Sequence, residues 1–346
     1  MGGNLLAESK VIEGPYLADL LEQPDALRRA CEQLRDIAEL RECAVDRIVL
    51  TGMGSSHFAL YPLYLRLVAS GRPSHLVETA ELIHYQSDLL SGRSLLIAVS
   101  QSGRSAEMVS LMERCGPGVK VVAITNDDSS PLAARADYRL LLAAGPESTV
   151  SCKTYVTTML VLDWLAAVMV GDDLGHKQQE LQHASGTVSR YLNSWRDHVD
   201  EWLATTRGID RIFLAGRGPS LATAQTGGLI LKESTRFAAE GMSCAAFRHG
   251  PLEAVGPRVL VLICEGDSKT AGLNRRLALD VEAAGGRAVL LGPSSGHRAA
   301  RWSELPSALT VIMEMLPVQM LSLALAASLG IEAGRFERAT KITDIE

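Results

Sequence analysis

Asp46–Ser56 reads DRIVLTGMGSS and Asp210–Ser220 reads DRIFLAGRGPS, the same motif met twice at an offset of 164 residues, from 46 to 210. Each copy opens on an aliphatic, β-branched run suited to a strand buried on both faces, and closes on a G-x-G turn that leads into helix-forming residues. The same offset pairs Ser94–Gly103 (SLLIAVSQSG) with Arg258–Asp267 (RVLVLICEGD). Two strand-and-turn units in one register indicate a duplicated domain. Further pairings drift as loop insertions would make them: Lys120–Asn126 against Arg287–Pro293, and Asp137–Ala143 against Ser307–Met313.

Within each copy, short apolar runs alternate with amphipathic segments of ten or more residues, the pattern of a parallel sheet covered by helices. The expected fold is α/β, with two tandem domains that are each a parallel sheet flanked by helices. A helical segment spans residues 1–44, the first domain 45–206, and the second domain with its C-terminal tail 207–346. Tyr16–Cys43 is helical by pattern, Gly175–Thr206 is a polar helical connection, and Pro317–Leu329 is an apolar helix. The remainder, Gly330–Glu346, is a polar tail without periodicity.

Composition narrows the function classes. With 346 residues, 47% hydrophobic and 21% charged, the chain can bury a substantial core, which excludes disorder and low complexity. A net charge of -6 supplies no basic footprint for nucleic acid. The six cysteines, Cys31, Cys43, Cys115, Cys152, Cys244 and Cys264, form no C-x-x-C pair or Cys/His cluster, so reduced thiols, no metal and a cytoplasmic location are expected. The N-terminus lacks the basic and apolar regions of a secretory signal, and Asp163 interrupts the apolar stretch Tyr155–Val170, so no membrane span is expected.

Both G-x-G turns, Gly52-Met53-Gly54 and Gly216-Arg217-Gly218, present backbone N–H groups at a strand-to-helix junction, where an anion is favoured. Ser55-Ser56-His57 and Pro219-Ser220-Leu221 stand where a dinucleotide fingerprint needs its third glycine, so no nicotinamide cofactor is expected. Ser100-Gln101-Ser102-Gly103-Arg104-Ser105 follows an apolar strand and offers three hydroxyls and an amide in one turn, a cradle for a phosphate without a lysine. Serines in such a turn also serve as helix caps. Two serine turns, at Ser55-Ser56 and Ser100–Ser105, converging from adjacent strands favour the ligand. The equivalent turn of the second copy, Cys264-Glu265-Gly266-Asp267, carries acids that repel phosphate.

These residues resemble the sugar isomerase (SIS) superfamily, and most closely the isomerase half of the glutamine–fructose-6-phosphate amidotransferases, the glucosamine-6-phosphate synthases. The resemblance runs through Glu22-Gln23-Pro24, the G-x-G-S-S turn, SQSGRS, AGPES followed by Lys153-Thr154, Leu231-Lys232-Glu233, Arg248-His249-Gly250-Pro251-Leu252, and a lysine five residues before the terminal Glu346. It implies two tandem SIS domains and a role for each matched position. Ser55, Ser100, Gln101, Ser102 and Ser105 would hold the sugar phosphate, with Ser56 beside them, and Val150 and Ser151 would touch the sugar hydroxyls. Glu233 would move a proton between C1 and C2, His249, lent by the neighbouring subunit, would open the ring, and Lys341 would engage the ketose carbonyl. The residue types suit that chemistry: a carboxylate within reach of two carbons, a group titrating near neutrality, and an amine able to form an imine.

Three departures stand out. Only about forty residues precede the first strand, too few for a glutaminase domain. Ile230 occupies a position where the synthases tend to carry a second lysine, and Arg104 replaces an acid, making the mouth of the phosphate turn more cationic. The expected function is a phosphosugar isomerase acting on a hexose 6-phosphate or amino-sugar phosphate, with deamination as a variant. The alternatives are a fructosamine-phosphate deglycase and a non-catalytic sugar-phosphate sensor. The expected assembly is a homodimer with a shared active site.

Overall fold

The structure, a computed structural model, describes residues 11–338, 340 and 341, with the backbone alone at 307 and 308. The chain forms two compact units, and neither is one continuous run. One comprises residues 23–147, 153–186 and the described tail from 338, the other residues 11–22, 148–152 and 187–337.

The unit beginning at residue 23 is built on five parallel strands: β1 (Arg47–Gly52), β2 (Ser74–Glu78), β3 (Ser94–Val99), β4 (Val119–Thr125) and β5 (Tyr138–Leu141), in the order β2-β1-β3-β4-β5. The central strands β1, β3 and β4 are buried along nearly their whole length, which is why they read as unbroken apolar runs. The edge strands β2 and β5 carry polar, partly exposed positions. The chain leaves β1 for β2 on one side and returns to β3 on the other. The carboxyl ends of β1 and β3 therefore flank the switch point where open α/β sheets bind ligands.

One face of this sheet packs Val49, Leu96, Ala98 and Val121 with Met108, Leu111 and Leu132. The apolar helix Lys153–Val170 packs against the helices Gln23–Glu32, Gly54–Ala59 and Tyr61–Ala69. It is 89% buried over an 18-residue window, and a helix apolar on all sides is a core helix when protein covers it. Asp163, which interrupts its apolar run, is paired with Lys177 at 3.0 Å and Arg66 at 3.5 Å, as a buried charge requires.

The other unit repeats the topology with one strand fewer: β6 (Arg211–Gly216), β7 (Ala239–Ser243), β8 (Val259–Cys264) and β9 (Arg287–Leu291) are parallel in the order β7-β6-β8-β9. The drifting repeats divide here. Arg287–Pro293 holds β9, as Lys120–Asn126 holds most of β4, but Ser307 opens the helix Ser307–Leu329 where Asp137–Ala143 holds β5. A seven-residue apolar run does not distinguish a strand from a turn of buried helix, and the apolar run beyond Met313 decides for the helix. That helix therefore starts well before Pro317 and runs through it. It packs on the helices Trp195–Thr205 and Leu221–Thr235, and its span Leu309–Leu329 is 94% buried over its most apolar window.

Two helical readings are refined as well. Gly175–Thr206 is two helices, Leu174–Leu192 and Trp195–Thr205, and Tyr16–Cys43 is broken into Pro15–Leu21, Gln23–Glu32 and a short 3-10 turn, Ala38–Leu40. The described tail residues after Gly330 carry neither helix nor strand.

Candidate active site

Two serine-bearing turns leave adjacent strands of the five-stranded sheet. Ser55 and Ser56 occupy the first turn of the helix Gly54–Ala59 directly after β1, and Ser100–Ser105 lead from β3 into the helix Ala106–Arg114. The second turn is braced by the end of β4 and the residues that follow it. Asn126 donates its N–H to the Gln101 carbonyl at 3.0 Å, Thr125 Oγ1 donates to the same oxygen at 3.2 Å, and Leu132 N–H donates to the Gly103 carbonyl at 3.3 Å. Gly103 has φ +61°, and a Cβ there would run into the Ser130 side chain, so this position requires glycine.

Two of these hydroxyls are anchored by the backbone of their own turn. Ser100 Oγ accepts the Gly103 N–H at 3.1 Å, and Ser102 Oγ accepts the Arg104 N–H at 3.2 Å. An oxygen that accepts from the turn keeps its own proton to donate outward. Ser105 is the cap residue of the helix Ala106–Arg114, yet its side chain makes no cap hydrogen bond. The capping explanation for that serine fails in this structure.

Arg104 does not make the mouth of the turn more cationic. Its guanidinium donates to Asp127 Oδ2 at 2.9 Å and to Ser129 Oγ at 3.0 Å, so a carboxylate 23 residues further on neutralises it. His57 follows Ser56 in the same helix, and burial pushes its pKa below the ordinary histidine value, against the opposing pull of Glu78.

In the same unit the loop after β5 is fixed from two sides. Arg29 donates to the carbonyls of Ala143 and Ala144 at 3.0 and 2.9 Å, and Asn126 Nδ2 donates to the Gly145 carbonyl at 2.8 Å. Glu147, buried at the end of this loop, accepts from the Thr154 N–H at 3.1 Å and the Thr154 hydroxyl at 2.5 Å. It thus caps the helix Lys153–Val170 with a negative charge, where the helix dipole favours one. The Lys341 ammonium donates to the same carboxylate at 2.8 Å. The tail lysine is therefore docked on the A-G-P-E-S loop, although 194 residues separate the two partners.

The remaining sequence candidates lie in the other unit. Val150 is fully buried and Ser151 half-buried in the short segment 148–152. Glu233 is half-buried in the last turn of the helix Leu221–Thr235, which ends at Arg236 with φ +59°. This helix lies against β7 through glycines: a Cβ on Gly228 would come within 2.6 Å of the Gly241 nitrogen. Ile230 is fully buried, so a lysine there would have to bury its ammonium. His249 ends the short helix Cys244–Arg248, is exposed, and precedes Gly250 at φ +133°.

The second copy's turns are built differently. Ser220 Oγ donates to Glu314 Oε1 at 2.7 Å and Thr223 Oγ1 to Glu314 Oε2 at 3.0 Å, closing this G-x-G turn onto the long C-terminal helix. Burial pushes the Glu314 carboxyl up to about 7, against the opposing pull of these hydrogen bonds. Glu265 pairs with Arg275 at 2.6 Å and accepts the Ser294 N–H at 2.8 Å.

Sequence reasoning missed Glu147 as the lysine's partner and Glu314 as the anchor of the second turn. Both left a signal. Glu147 is an acid just ahead of a helix start, and Glu314 is a lone acid in an otherwise apolar helical run.

The SIS domain family model matches this chain over residues 40–168 and again over 207–329. The glutamine–fructose-6-phosphate aminotransferase (isomerizing) of Pyrococcus horikoshii is 32% identical over 357 residues. That alignment takes in 99% of this chain and 59% of the enzyme, so the chain spans under two thirds of that relative's length. Among solved structures, the C-terminal domain of glucosamine-fructose-6-phosphate aminotransferase from Francisella tularensis superposes with a TM-score of 0.82 at 22% identity, covering 94% of this chain and 98% of that one. The glucosamine-6-phosphate deaminase of Thermotoga maritima gives 0.81 at 18% identity, over 96% and 100%. At these identities the two structures establish the fold alone.

Proposed function

We propose, from the premise that this chain belongs to the SIS domain family, that it is a phosphosugar isomerase acting on a hexose 6-phosphate or amino-sugar phosphate, with loss of the amine as a variant of the same reaction. The observation that carries this reading is the serine turn after β3. It holds hydroxyl oxygens that accept from the turn's own backbone and so keep their protons for another acceptor, beside a second serine turn at the switch point of one sheet, and the other sheet puts acids in the matching place. A dianionic phosphate can be held there by O–H and N–H donors alone. The similarity to an isomerizing aminotransferase supports an isomerase-type enzyme.

In this reading Ser55, Ser56, Ser100, Gln101, Ser102 and Ser105 bind the phosphate, and Val150 and Ser151 contact the sugar. Glu233 takes a proton from one of C1 and C2 and returns it to the other. His249, exposed at the end of its short helix, opens the ring in the partner subunit of a homodimer, and Lys341 leaves Glu147 to meet the carbonyl. Ring opening moves the hydroxyl proton to the ring oxygen, and the 1,2-shift passes through an enediol without any oxidant.

The experiment is Glu233→Gln, which keeps size and hydrogen bonding while removing basicity. The variant is expected to bind fructose 6-phosphate as the wild type does and to lose on the order of 10²-fold or more in turnover. In D₂O the wild type should wash deuterium into C1 or C2 faster than the variant. A wild type that binds phosphosugars but exchanges no carbon-bound hydrogen would replace this reading with that of a sensor.

A further inference from the structure

The acid-bearing turn of the second copy opens on a cavity of about 510 Å³, a volume within the range of small-molecule sites. The cavity lies wholly within the four-stranded unit. Its walls are Ser220 after β6, Glu265 and Asp267 after β8, and Ser294 after β9, together with Arg275, Trp302 and Glu304. It therefore occupies the switch point of the second sheet, the position that the serine turns occupy in the first.

Its chemistry is the reverse of a phosphate site. Three carboxylates, on Glu265, Asp267 and Glu304, share the wall with one guanidinium, and Arg275 is already paired with Glu265 at 2.6 Å. Asp267 Oδ1 accepts from the Thr270 N–H at 3.2 Å and from the Thr270 hydroxyl at 3.3 Å in the turn ahead of the helix Ala271–Ala283, and its other oxygen is left for a ligand. Ser220 gives its proton to Glu314, so what it offers the cavity is a lone pair. Such a lining is rich in acceptors and negative in charge, and it asks for a ligand that is positive and rich in donors. Trp302 adds a flat apolar surface that suits the C–H face of a pyranose ring.

We propose that the second domain holds a site of its own for an unphosphorylated amino sugar, a ring bearing one ammonium and several hydroxyls. The acids that bar phosphate from the second copy of the turn are the groups that receive the ammonium.

Glucosamine, glucose and putrescine serve as probes on the full chain, by calorimetry and by tryptophan fluorescence. Glucosamine is expected to bind and to change the Trp302 emission, with glucose, which lacks the charge, and putrescine, which lacks the hydroxyls, each at least 10-fold weaker. The pair Asp267→Asn with Glu304→Gln keeps an acceptor for Thr270 and should weaken glucosamine at least 10-fold. Ser268→Trp, which fills the exposed rim and leaves every charge in place, should do the same. Ser102→Ala, in the phosphate turn, should leave glucosamine affinity within twofold. Affinity that survives both cavity variants, that falls with Ser102→Ala, or that is equalled by glucose or putrescine overturns the proposal.

Discussion

Ser102 is where the functional reading is narrowest. Its oxygen accepts the Arg104 N–H, so its proton is available to a ligand and its loss leaves the turn's backbone contacts at Gln101 and Gly103 in place. Ser102→Ala is therefore expected to weaken fructose 6-phosphate binding about 5- to 30-fold, the equivalent of about 1 to 2 kcal/mol for one charge-assisted hydrogen bond, with no change in the thermal unfolding midpoint. Calorimetric titration measures it, and equal affinity in the two proteins moves the phosphate elsewhere. Arg104 shows the limit of reading one residue at a time. Its charge was legible from the sequence, but its neutralisation by Asp127 depends on how the loop after β4 folds back, and no local pattern records that.

The contact between Glu147 and Lys341 belongs to the scale of elements, since it joins the tail to a loop and to the start of a core helix. Glu147→Gln keeps an oxygen for the Thr154 N–H and removes the charge that holds the ammonium. Lys341 is itself a trypsin cleavage site, so the variant should be cut after residue 341 several-fold faster under native conditions, as read by mass spectrometry. The loss of charge-assisted bonds at a buried carboxylate should cost about 1 to 3 kcal/mol in chemical denaturation. Unchanged cleavage would mean that the tail is held by something else. This contact was beyond the sequence because its partners are far apart in the chain and each is ordinary alone. The repeat at Asp46–Ser56 and Asp210–Ser220 was legible because strand burial and turn chemistry are both local. The false pairing of Ser307–Met313 with β5 marks where local pattern stops: apolar content says buried, and only the length of the run says helix.

At the scale of the whole molecule, the buried carboxyl of Glu314 couples stability to pH. Its value of about 7 in the folded state lies above that of an exposed glutamate. Between about pH 4.5 and 7 the folded chain holds a proton there that the unfolded chain has released, so this group's contribution is complete at low pH and is lost as pH rises through that window. His57, His198 and His297, all held below the ordinary histidine value by burial, slope the other way, favouring the folded state as pH rises toward the ordinary value. The informative quantity is thus the difference between two proteins. Glu314→Gln retains an acceptor for one of the two hydroxyls of Ser220 and Thr223 and loses the titration, so whatever its stability at a single pH, it is expected to gain on the wild type by on the order of 2 to 3 kcal/mol between pH 5 and pH 8. Denaturation curves at the two pH values that differ equally for both proteins would remove Glu314 as the cause.

The helix Ser307–Leu329 follows every strand of its sheet in the chain, and Leu309–Leu329 is as apolar as a membrane-crossing segment. During synthesis, β6 to β9 and the helices Trp195–Thr205 and Leu221–Thr235 therefore leave the ribosome before the segment that packs on those two helices exists. For that interval the nascent chain shows an uncovered greasy surface, followed by a stretch that resembles an insertion signal. Production of this protein should accordingly depend on chaperone capacity more than its folded surface implies, and C-terminal truncations within this helix should be found in inclusion bodies.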